Sequence, residues 1–253
     1  MNGPLAHAAL AAAGISAGFI NTVAGGGSLL TLPVLMLLGL PPDVANGTNR
    51  LSIVTQSLTG AAVLERLGQL DRRGLVPVIV ASALGSLGGA LLATRVPNEV
   101  LRIVLLVALV LMASLILIEP RAIGAPAGTG EPLWATRRAA GFVGLFAAGL
   151  YGGFIQAGVG FLILAVLGGI LHYDVLGAAA LKAICTLVYG LVAVAVFAAV
   201  DDVVWSIAAP LAVYTAIGSL LGIKLARRAP HLVLRIIAFV MVVATSVGAL
   251  IRG

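Results

Sequence analysis

Charged residues, cysteine and aromatic residues are all scarce in this chain of 253 residues. Only 9% of the residues are charged and 61% are hydrophobic, whereas a soluble domain has about 25% charged and about 45–50% apolar residues. A soluble enzyme and a DNA-binding domain are therefore both poor explanations of this composition. The formal charge of +6 comes from basic residues that stand singly or in pairs between long apolar runs, so we expect no nucleic-acid partner.

The residues that most often build catalytic or metal sites are also few. Cys185 is the single cysteine and excludes an intrachain disulfide, and His7, His172 and His231 are too far apart in sequence for a ligand motif. No lysine follows the glycine run at 25–27, so this stretch is not a phosphate-binding loop. We expect no enzyme activity, no metal and no cofactor.

The chain instead contains long apolar runs and 32 glycines. A bilayer core of about 30 Å needs about 20 apolar residues per helix, and small residues let membrane helices pack closely. The runs therefore predict an all-α polytopic membrane protein. The predicted segments are 5–40, 46–64, 75–94, 98–118, 139–171, 175–200, 203–226 and 231–251.

Two of these segments, 5–40 and 139–171, are too long for one crossing and too short for two full crossings. Each is interrupted near its middle by glycines, the first at 24–28 and the second at 152–160. Glycine lets a helix break and leaves backbone polar groups available. We therefore predict a half-length helix after each break, as one member of a re-entrant or half-helix pair.

A linker rich in proline and glycine divides the chain almost in half. The linker at 119–138 separates a first transmembrane repeat at 1–118 from a second at 139–253. The linker also carries charged residues, so we expect it to lie in the cytoplasm, outside the membrane.

The two halves share sequence, which indicates an internal duplication. Residues 83–104 match residues 216–237, and an Asp-Val pair recurs at Asp43 and Asp174. Helix packing alone would account for shared glycines, but not for shared arginine, proline and aspartate. Matched pairs include Gly85/Gly218, Ser86/Ser219, Gly89/Gly222, Arg95/Arg228, Pro97/Pro230 and Arg102/Arg235.

The basic residues of the loops help to distinguish parallel from inverted repeats, because cytoplasmic loops are rich in lysine and arginine. If each long segment crosses once, the repeats are parallel and the basic residues are nearly balanced between the two sides. If each long segment enters and returns, the second repeat is inverted, and only Arg50, Arg95, Arg102 and Arg252 lie on the minority side. We favour inverted repeats, each with one interrupted pair plus three transmembrane helices, and with both termini outside.

Inverted repeats with interrupted helices place a substrate site near the middle of the membrane, where the repeats meet. The free N–H groups at the start of each half-helix, and its positive dipole end, favour an anion there. An alternative is that the glycines only allow tight helix crossing. The candidates are Asn21, Thr22, Gly25, Gly26, Gly27, Ser28 and Thr31 in the first repeat, and Gly153, Gln156, Gly158 and Gly160 in the second.

Two basic residues lie inside apolar segments, Arg50 in the first repeat and Lys182 in the second. Aligned on the shared Asp-Val pair, they fall within one position of each other. A cation inside a membrane helix is costly unless it reaches the surface, water or a counter-charge. We predict that they flank an anion pathway, and the alternative is that their heads extend to the membrane surface. Side chains that could form hydrogen bonds nearby are Asn46, Thr48, Asn49, Gln56, Cys185 and Thr186.

The chain resembles the sulfite exporter TauE/SafE family of bacterial inner-membrane proteins. The resemblance rests on NTVAGGGSLLTLPVLMLLGLPPDVANGTNRLSI, the ERLGQLD loop and ALGSLGGALLATRVP, together with their counterparts in the second half. It extends over nearly the whole chain, although the alanines at 178–180 stand where the second repeat would carry Gly-Thr-Asn. The resemblance implies transport of sulfite, sulfoacetate or a related small organosulfur anion.

These features together predict a secondary transporter that exports a small sulfur-containing anion across the bacterial cytoplasmic (inner) membrane. The sequence has no ATPase motif, and a membrane potential that is negative inside favours anion exit by about 2.3 kcal/mol per charge per 100 mV. The expected partners are the anion and membrane lipid, with a homo-oligomer as a further option. The alternatives are a non-transporting scaffold subunit and an anion channel.

Overall fold

The structure is a computed structural model that describes residues 4–24, 27–118 and 133–225. These ranges form helices and connecting turns and contain no strand, which confirms the predicted all-α class. The predicted segment 231–251 and most of the linker lie outside the described residues. The helices are α1 (Pro4–Ala24), α2 (Ser28–Leu37), α3 (Pro42–Arg66), α4 (Leu75–Ala93), α5 (Asn98–Ile118), α6 (Trp134–Phe154), α7 (Val159–Leu164, continued by π-helical turns over Ala165–Ile170), α8 (Val175–Ala199) and α9 (Trp205–Leu225).

Three stretches of the described residues are long and apolar enough to cross a membrane. They are Leu75–Ala93 in α4, Val175–Ala199 in α8 and Trp205–Gly222 in α9. Helix α3 is as long as α8 but is absent from this group because it carries many polar side chains.

Helices α3 and α8 begin at the two aspartates that the sequence match aligned. Pro42 occupies the first turn of α3, where its fixed φ suits a helix and its missing N–H is not needed. Helix α3 therefore starts before residue 46, which is the start of the segment 46–64 that the apolar runs predict. Asp174 caps α8, because its carboxylate accepts a hydrogen bond from the backbone N–H of Gly177 at 3.1 Å.

Both predicted interruptions are present, and the first lies at the tip of a hairpin formed by α1 and α2. Gly27, just before α2, lies against the backbone of Ala17 in α1. Leu10 of α1 and Leu35 of α2 belong to the same buried apolar cluster. Helix α2 therefore runs back along α1.

The second interruption lies at the tip of a hairpin formed by α6 and α7. Gly152 near the end of α6 faces Val159 at the start of α7, and Gly144 faces Val166 in the π-helical turns. Residues of α6 that lie further from the tip thus contact residues of the returning segment that also lie further from the tip, so the two segments run antiparallel. The absence of side chains on the two glycines lets the returning segment pack closely.

Helices α4 and α6 pack side by side with almost no space between their backbones. A Cβ on Gly85 would collide with the carbonyl oxygen of Phe146, and one on Gly89 with that of Leu150. The positions rise together in both helices, so α4 and α6 run parallel. Only glycine permits this approach, because any side chain would displace one helix.

Helices α1 and α9 form a second parallel pair of the same kind. Gly14 faces Leu211, and a Cβ on Gly18 would collide with the carbonyl oxygen of Thr215. The first helix of the chain is thus held by a helix from the second half, as α6 is held by α4 from the first half.

Helices α3 and α8 cross the middle of the molecule and run antiparallel. Gly47 near the start of α3 packs against Phe197 near the end of α8. Further along α3, the hydroxyl of Ser57 donates a hydrogen bond to the hydroxyl oxygen of Thr186 at 2.8 Å. Residue numbers rise along α3 as they fall along α8, so the two helices point in opposite directions.

Candidate functional site

The two helix breaks meet in the interior of the molecule. Ser28 is the first residue of α2, and its hydroxyl donates a hydrogen bond to the carbonyl oxygen of Gln156 at 3.2 Å. Both residues are buried, with 6% and 1% of their surface exposed. The structure therefore brings together two of the predicted site residues that are separated by 128 positions in the sequence.

The second break contains two residues in the left-handed backbone region. Gly158 has a φ of 72° and Gln156 a φ of 61°. Glycine adopts this region freely, whereas for glutamine it costs about 1–2 kcal/mol. The hydroxyl of Tyr151 supports the break by donating a hydrogen bond to the carbonyl oxygen of Ala157 at 2.7 Å.

Sequence reasoning missed the role of Tyr151, because a single tyrosine in an apolar helix is typical of packing. It selected Gln156 for its side chain and did not foresee the left-handed backbone. The usable signal for Tyr151 was its position directly before the glycine pair at 152–153 in an otherwise apolar stretch.

Several buried polar atoms around the breaks have no hydrogen-bond partner among the described residues. Buried polar groups in proteins are nearly always paired, so each exception needs an explanation. Asn49 and Gln56 share one face of α3, since seven residues make two helical turns. The atoms are Thr31 Oγ1, Asn49 Nδ2, Arg50 Nε, Gln56 Oε1 and both the oxygen and nitrogen of the Gln156 amide.

Arg50 is completely buried, and its guanidinium binds the end of α6. It donates hydrogen bonds to the carbonyl oxygens of Gly152, of Gly153 at 2.6 Å and of Phe154 at 3.2 Å. Asn46 also contributes, since its side-chain oxygen accepts from Arg50 at 3.1 Å and its Nδ2 donates to Phe154 at 2.8 Å. A cation at a helix C-terminus compensates the negative dipole end and the unpaired carbonyls.

The guanidinium of Arg50 is buried and does not extend to the surface. The alternative that the head of this side chain reaches the membrane surface therefore does not apply to Arg50. Its guanidinium carbon lies 5.0 Å from the centre of the Phe197 ring, a distance at which a cation is attracted to the aromatic face. The carbonyls give Arg50 a structural role that we had not predicted, beside the predicted role in attracting an anion.

Lys182 has a different environment from Arg50. It is half-buried, and its side chain has no hydrogen bond or ion pair within the described part of the chain. Thr186 belongs to the α3–α8 contact, because its hydroxyl oxygen accepts the hydrogen bond from Ser57. The same hydroxyl donates a hydrogen bond to the carbonyl oxygen of Lys182 at 2.9 Å. At about 1.5 Å of rise per residue, the Ser57–Thr186 contact places the Arg50 and Lys182 backbones roughly 16 Å apart along the helices.

The first break is described only in part. Gly25 and Gly26 and the side chain of Thr22 lie outside the described residues. The side-chain oxygen of Asn21 accepts a hydrogen bond from the backbone N–H of Gly27 at 3.5 Å. A Cβ on Gly27 would collide with the carbonyl oxygen of Ala17, so at this glycine tight packing is a requirement.

Over residues 4–24, 27–118 and 133–225, no three histidine, cysteine or acidic side chains lie close enough together to hold a metal ion. The candidate site is therefore made of amide, hydroxyl and guanidinium groups.

The model of the family described as sulfite exporter TauE/SafE matches residues 10–249. This chain belongs to the TauE/SafE family. Together with the three apolar spans, membership in the TauE/SafE family identifies a multi-pass membrane protein.

Curated relatives agree with the family assignment. A probable membrane transporter protein of Haemophilus influenzae is 25% identical over 215 residues, which cover 84% of this chain and 82% of that protein. The probable membrane transporter protein YfcA of Escherichia coli K12 is 33% identical over 121 residues, 48% of this chain and 45% of the relative. The probable membrane transporter protein ORF9 of a Sinorhizobium species is 39% identical over 89 residues, 35% of this chain and 34% of the relative.

Proposed function

We propose that this TauE/SafE protein is a secondary transporter that exports a small sulfur-containing anion, such as sulfite or an organosulfonate, across the bacterial cytoplasmic membrane. The family description and the transporter names of the relatives support transport. The proposed binding site is the region where the two helix breaks meet.

The observation that carries this proposal is the set of buried polar atoms without partners in α2, in α3 and in the second break. Asn49 Nδ2, Gln156 Nε2 and the Thr31 hydroxyl are hydrogen-bond donors. An oxyanion presents several acceptor oxygens and would satisfy such donors together. A bound anion would thereby remove the cost of about 1–3 kcal/mol that each unpaired buried group imposes.

The charge distribution also favours an anion. Arg50 and Lys182 are the basic residues inside α3 and α8, apart from Arg66 at the end of α3, and α2, α7 and α8 contain no acidic residue. Asp43 and Glu65 lie at the ends of α3 and not in its middle. A region of uncompensated positive charge in a low-dielectric medium attracts anions strongly.

We further propose that the repeats are inverted. Antiparallel α3 and α8 are the pair expected from inverted repeats, because these helices are counterparts in the sequence match. The contact of Gly218 with the backbone of Ile15 is the counterpart of the contact of Gly85 with Phe146. Such exchanged contacts support two repeats related by a twofold axis in the membrane plane.

The test is anion binding in purified variants at Gln156, measured by thermal shift and by titration calorimetry with sulfite, sulfoacetate and sulfate. Gln156→Gly keeps the left-handed backbone and removes the amide, whereas Gln156→Asn keeps an amide on a residue that tolerates this backbone. Loss of one hydrogen bond to a charged group costs about 1.5–3 kcal/mol, so Gln156→Gly should bind about ten- to hundredfold more weakly.

Gln69→Gly, in the loop between α3 and α4, is the matched control and should bind as the wild type does. Unchanged affinity in a folded Gln156→Gly variant would show that the site lies elsewhere. Flux of the best ligand into proteoliposomes then distinguishes the functions. A carrier saturates and shows counter-exchange, a channel does neither, and a scaffold subunit shows neither flux nor stabilisation by any anion.

A further inference from the structure

A cavity of about 410 Å³ lies where α4 and α6 begin. It is lined by Arg73, Val76 and Pro77 at the start of α4, and by Trp134 and Arg138 at the start of α6. Because α4 and α6 run parallel, both helices begin at this cavity. The cavity is open to the outside of the bundle, since Arg73 and Arg138 are exposed.

The two arginines of the cavity carry positive charge without an acidic partner in the described part of the chain. The nearest acidic residue in the sequence, Asp71, forms no ion pair with either arginine within the described residues. Its carboxylate accepts hydrogen bonds from the hydroxyl of Tyr173 at 2.6 Å and from the backbone N–H of Arg73 at 2.9 Å. Both guanidinium groups therefore remain available to an external anion.

A hydrogen-bond network fixes the wall of the cavity. The indole N–H of Trp134 donates to the hydroxyl oxygen of Tyr173 at 2.6 Å, and that hydroxyl donates to Asp71. Burial and the neighbouring carboxylate raise the pKa of the Tyr173 hydroxyl, so the tyrosine stays protonated and keeps donating. The Trp134 ring is thereby held beside the two arginines that line the cavity.

An apolar surface extends from the cavity along the bundle. Helix α4 exposes Val76, Ile79, Val80 and Leu84, with exposed fractions from 39% to 69%. On the adjacent helix α6, Val143 is 64% exposed. A charged cavity beside an exposed apolar surface matches an amphipathic molecule with an anionic head and a hydrocarbon tail.

We propose that this cavity binds the phosphate of an anionic phospholipid headgroup between Arg73 and Arg138, with the acyl chains along α4 and α6. Arginine suits this role because its planar fork can donate two hydrogen bonds to one phosphate. Basic pockets between transmembrane helices on the cytoplasmic side bind anionic lipid headgroups in this way.

The test is lipid retention by the full-length protein in nanodiscs that contain equal amounts of phosphatidylglycerol and phosphatidylcholine, measured by native mass spectrometry. The wild type should retain phosphatidylglycerol in excess. Each arginine near an anionic surface contributes about 1 kcal/mol, which is about fivefold in affinity. The double variant Arg73→Gln/Arg138→Gln should therefore lose most of the excess.

Arg72→Gln is the matched control, because Arg72 lies in the same loop, is exposed and pairs with Glu65 at 3.6 Å outside the cavity. It should keep the excess, whereas Arg73→Lys/Arg138→Lys, which preserves both charges but not the planar forks, should keep only part of it. An unchanged excess in the double glutamine variant, or an equal loss in Arg72→Gln, would overturn the proposal. Inorganic phosphate that displaced the retained lipid at equal concentration would overturn it too, because the occupant would then be a free anion.

Discussion

Helices α3 and α8 have the same length and pack against each other, yet their side chains differ in kind. Each has 25 residues and begins at one of the two matched aspartates. Buried polar side chains are concentrated in α3, whereas α8 is apolar enough to count as a membrane span. The buried polar side chains of α3 are Asn46, Thr48, Asn49, Arg50, Ser52, Gln56 and Ser57. In α8 the buried polar side chain is Thr186.

This difference indicates that the proposed duplication accounts for the arrangement of the helices, whereas the polar groups of the candidate site come mainly from one half. The alanines at 178–180 occupy the positions that correspond to 47–49 in α3. Small side chains there let α8 pack tightly, and they offer a ligand no hydrogen bond. The second half contributes to the site mainly through its helix break, at Gln156.

The largest expected effect is a difference in the free energy of unfolding between variants at Arg50 in α3 and variants at Lys182 in α8. Arg50→Met should lower the free energy of unfolding by about 3 kcal/mol or more, because each buried carbonyl left without a donor costs about 1–3 kcal/mol. Lys182→Met should be neutral or stabilising, since Lys182 has no partner among the described residues and desolvation of its charge is unfavourable. Thermal unfolding in detergent measures both.

Arg50→Lys serves as the control in this comparison. It keeps the charge but not the planar fork, so its loss of stability should be intermediate. Equal stability losses in Arg50→Met and Lys182→Met would abolish the contrast and point to equivalent roles.

A smaller effect tests the proposed equivalence of the packing in the two halves. Gly85→Ala and Gly218→Ala each place a Cβ against a backbone carbonyl of the neighbouring parallel helix. Overpacking of this kind costs about 1–3 kcal/mol, so both variants should melt at a lower temperature and by similar amounts. Gly169→Ala is the control, because nothing lies within 4 Å of a Cβ there. A loss in one variant alone would mean that the two contacts are not equivalent.

The smallest effect concerns Asp71 and Asp202, which follow α3 and α8 respectively. Burial and the charges of Asp43 and Asp201 raise the pKa of the Asp202 carboxyl. The folded state therefore binds the proton more tightly than the unfolded state, in which an aspartate pKa is about 3.9. Stability should fall as the pH rises from about 4 through the raised pKa.

Asp202→Asn should remove this fall and slightly raise the melting temperature at neutral pH. Asp71→Asn should act in the opposite direction, because the Asp71 carboxylate accepts the hydrogen bond from Tyr173. Melting temperatures of both variants between pH 4 and about 8 provide the test. A wild-type melting temperature that rises across this range would contradict the sign derived for Asp202.

Much of the fold could be predicted from the sequence because its signals are local. Apolar runs and glycine-rich interruptions predict helices and breaks over short stretches, and both breaks are confirmed. Helix α3 starts at Pro42, before the predicted segment 46–64, because its first turn contains proline and aspartate and therefore lies outside the apolar run. The glycines predicted close helix contacts, but not that α1 pairs with α9.

The candidate site was less predictable because its contacts join distant positions. The residues were chosen for polarity inside apolar segments, and the structure brings Ser28 to Gln156. The three carbonyl acceptors of Arg50 lie 102 to 104 positions away on α6, and they are backbone atoms that no residue type reveals. The left-handed backbone of Gln156 was equally hidden, since glutamine seldom adopts it.

The pairing of α1 with α9 has a consequence for how the protein is made. Gly18 and Thr215 lie against each other, so α1 is synthesised well before the helix against which it packs. At a rate of synthesis of about 5–20 residues per second, α9 is synthesised on the order of ten seconds or more after α1. During that time its glycine face has to be shielded by lipid, by the insertion machinery or by α2 alone. Premature termination before α9 would therefore leave a membrane-inserted fragment with an unfilled groove, a ready substrate for quality-control proteases.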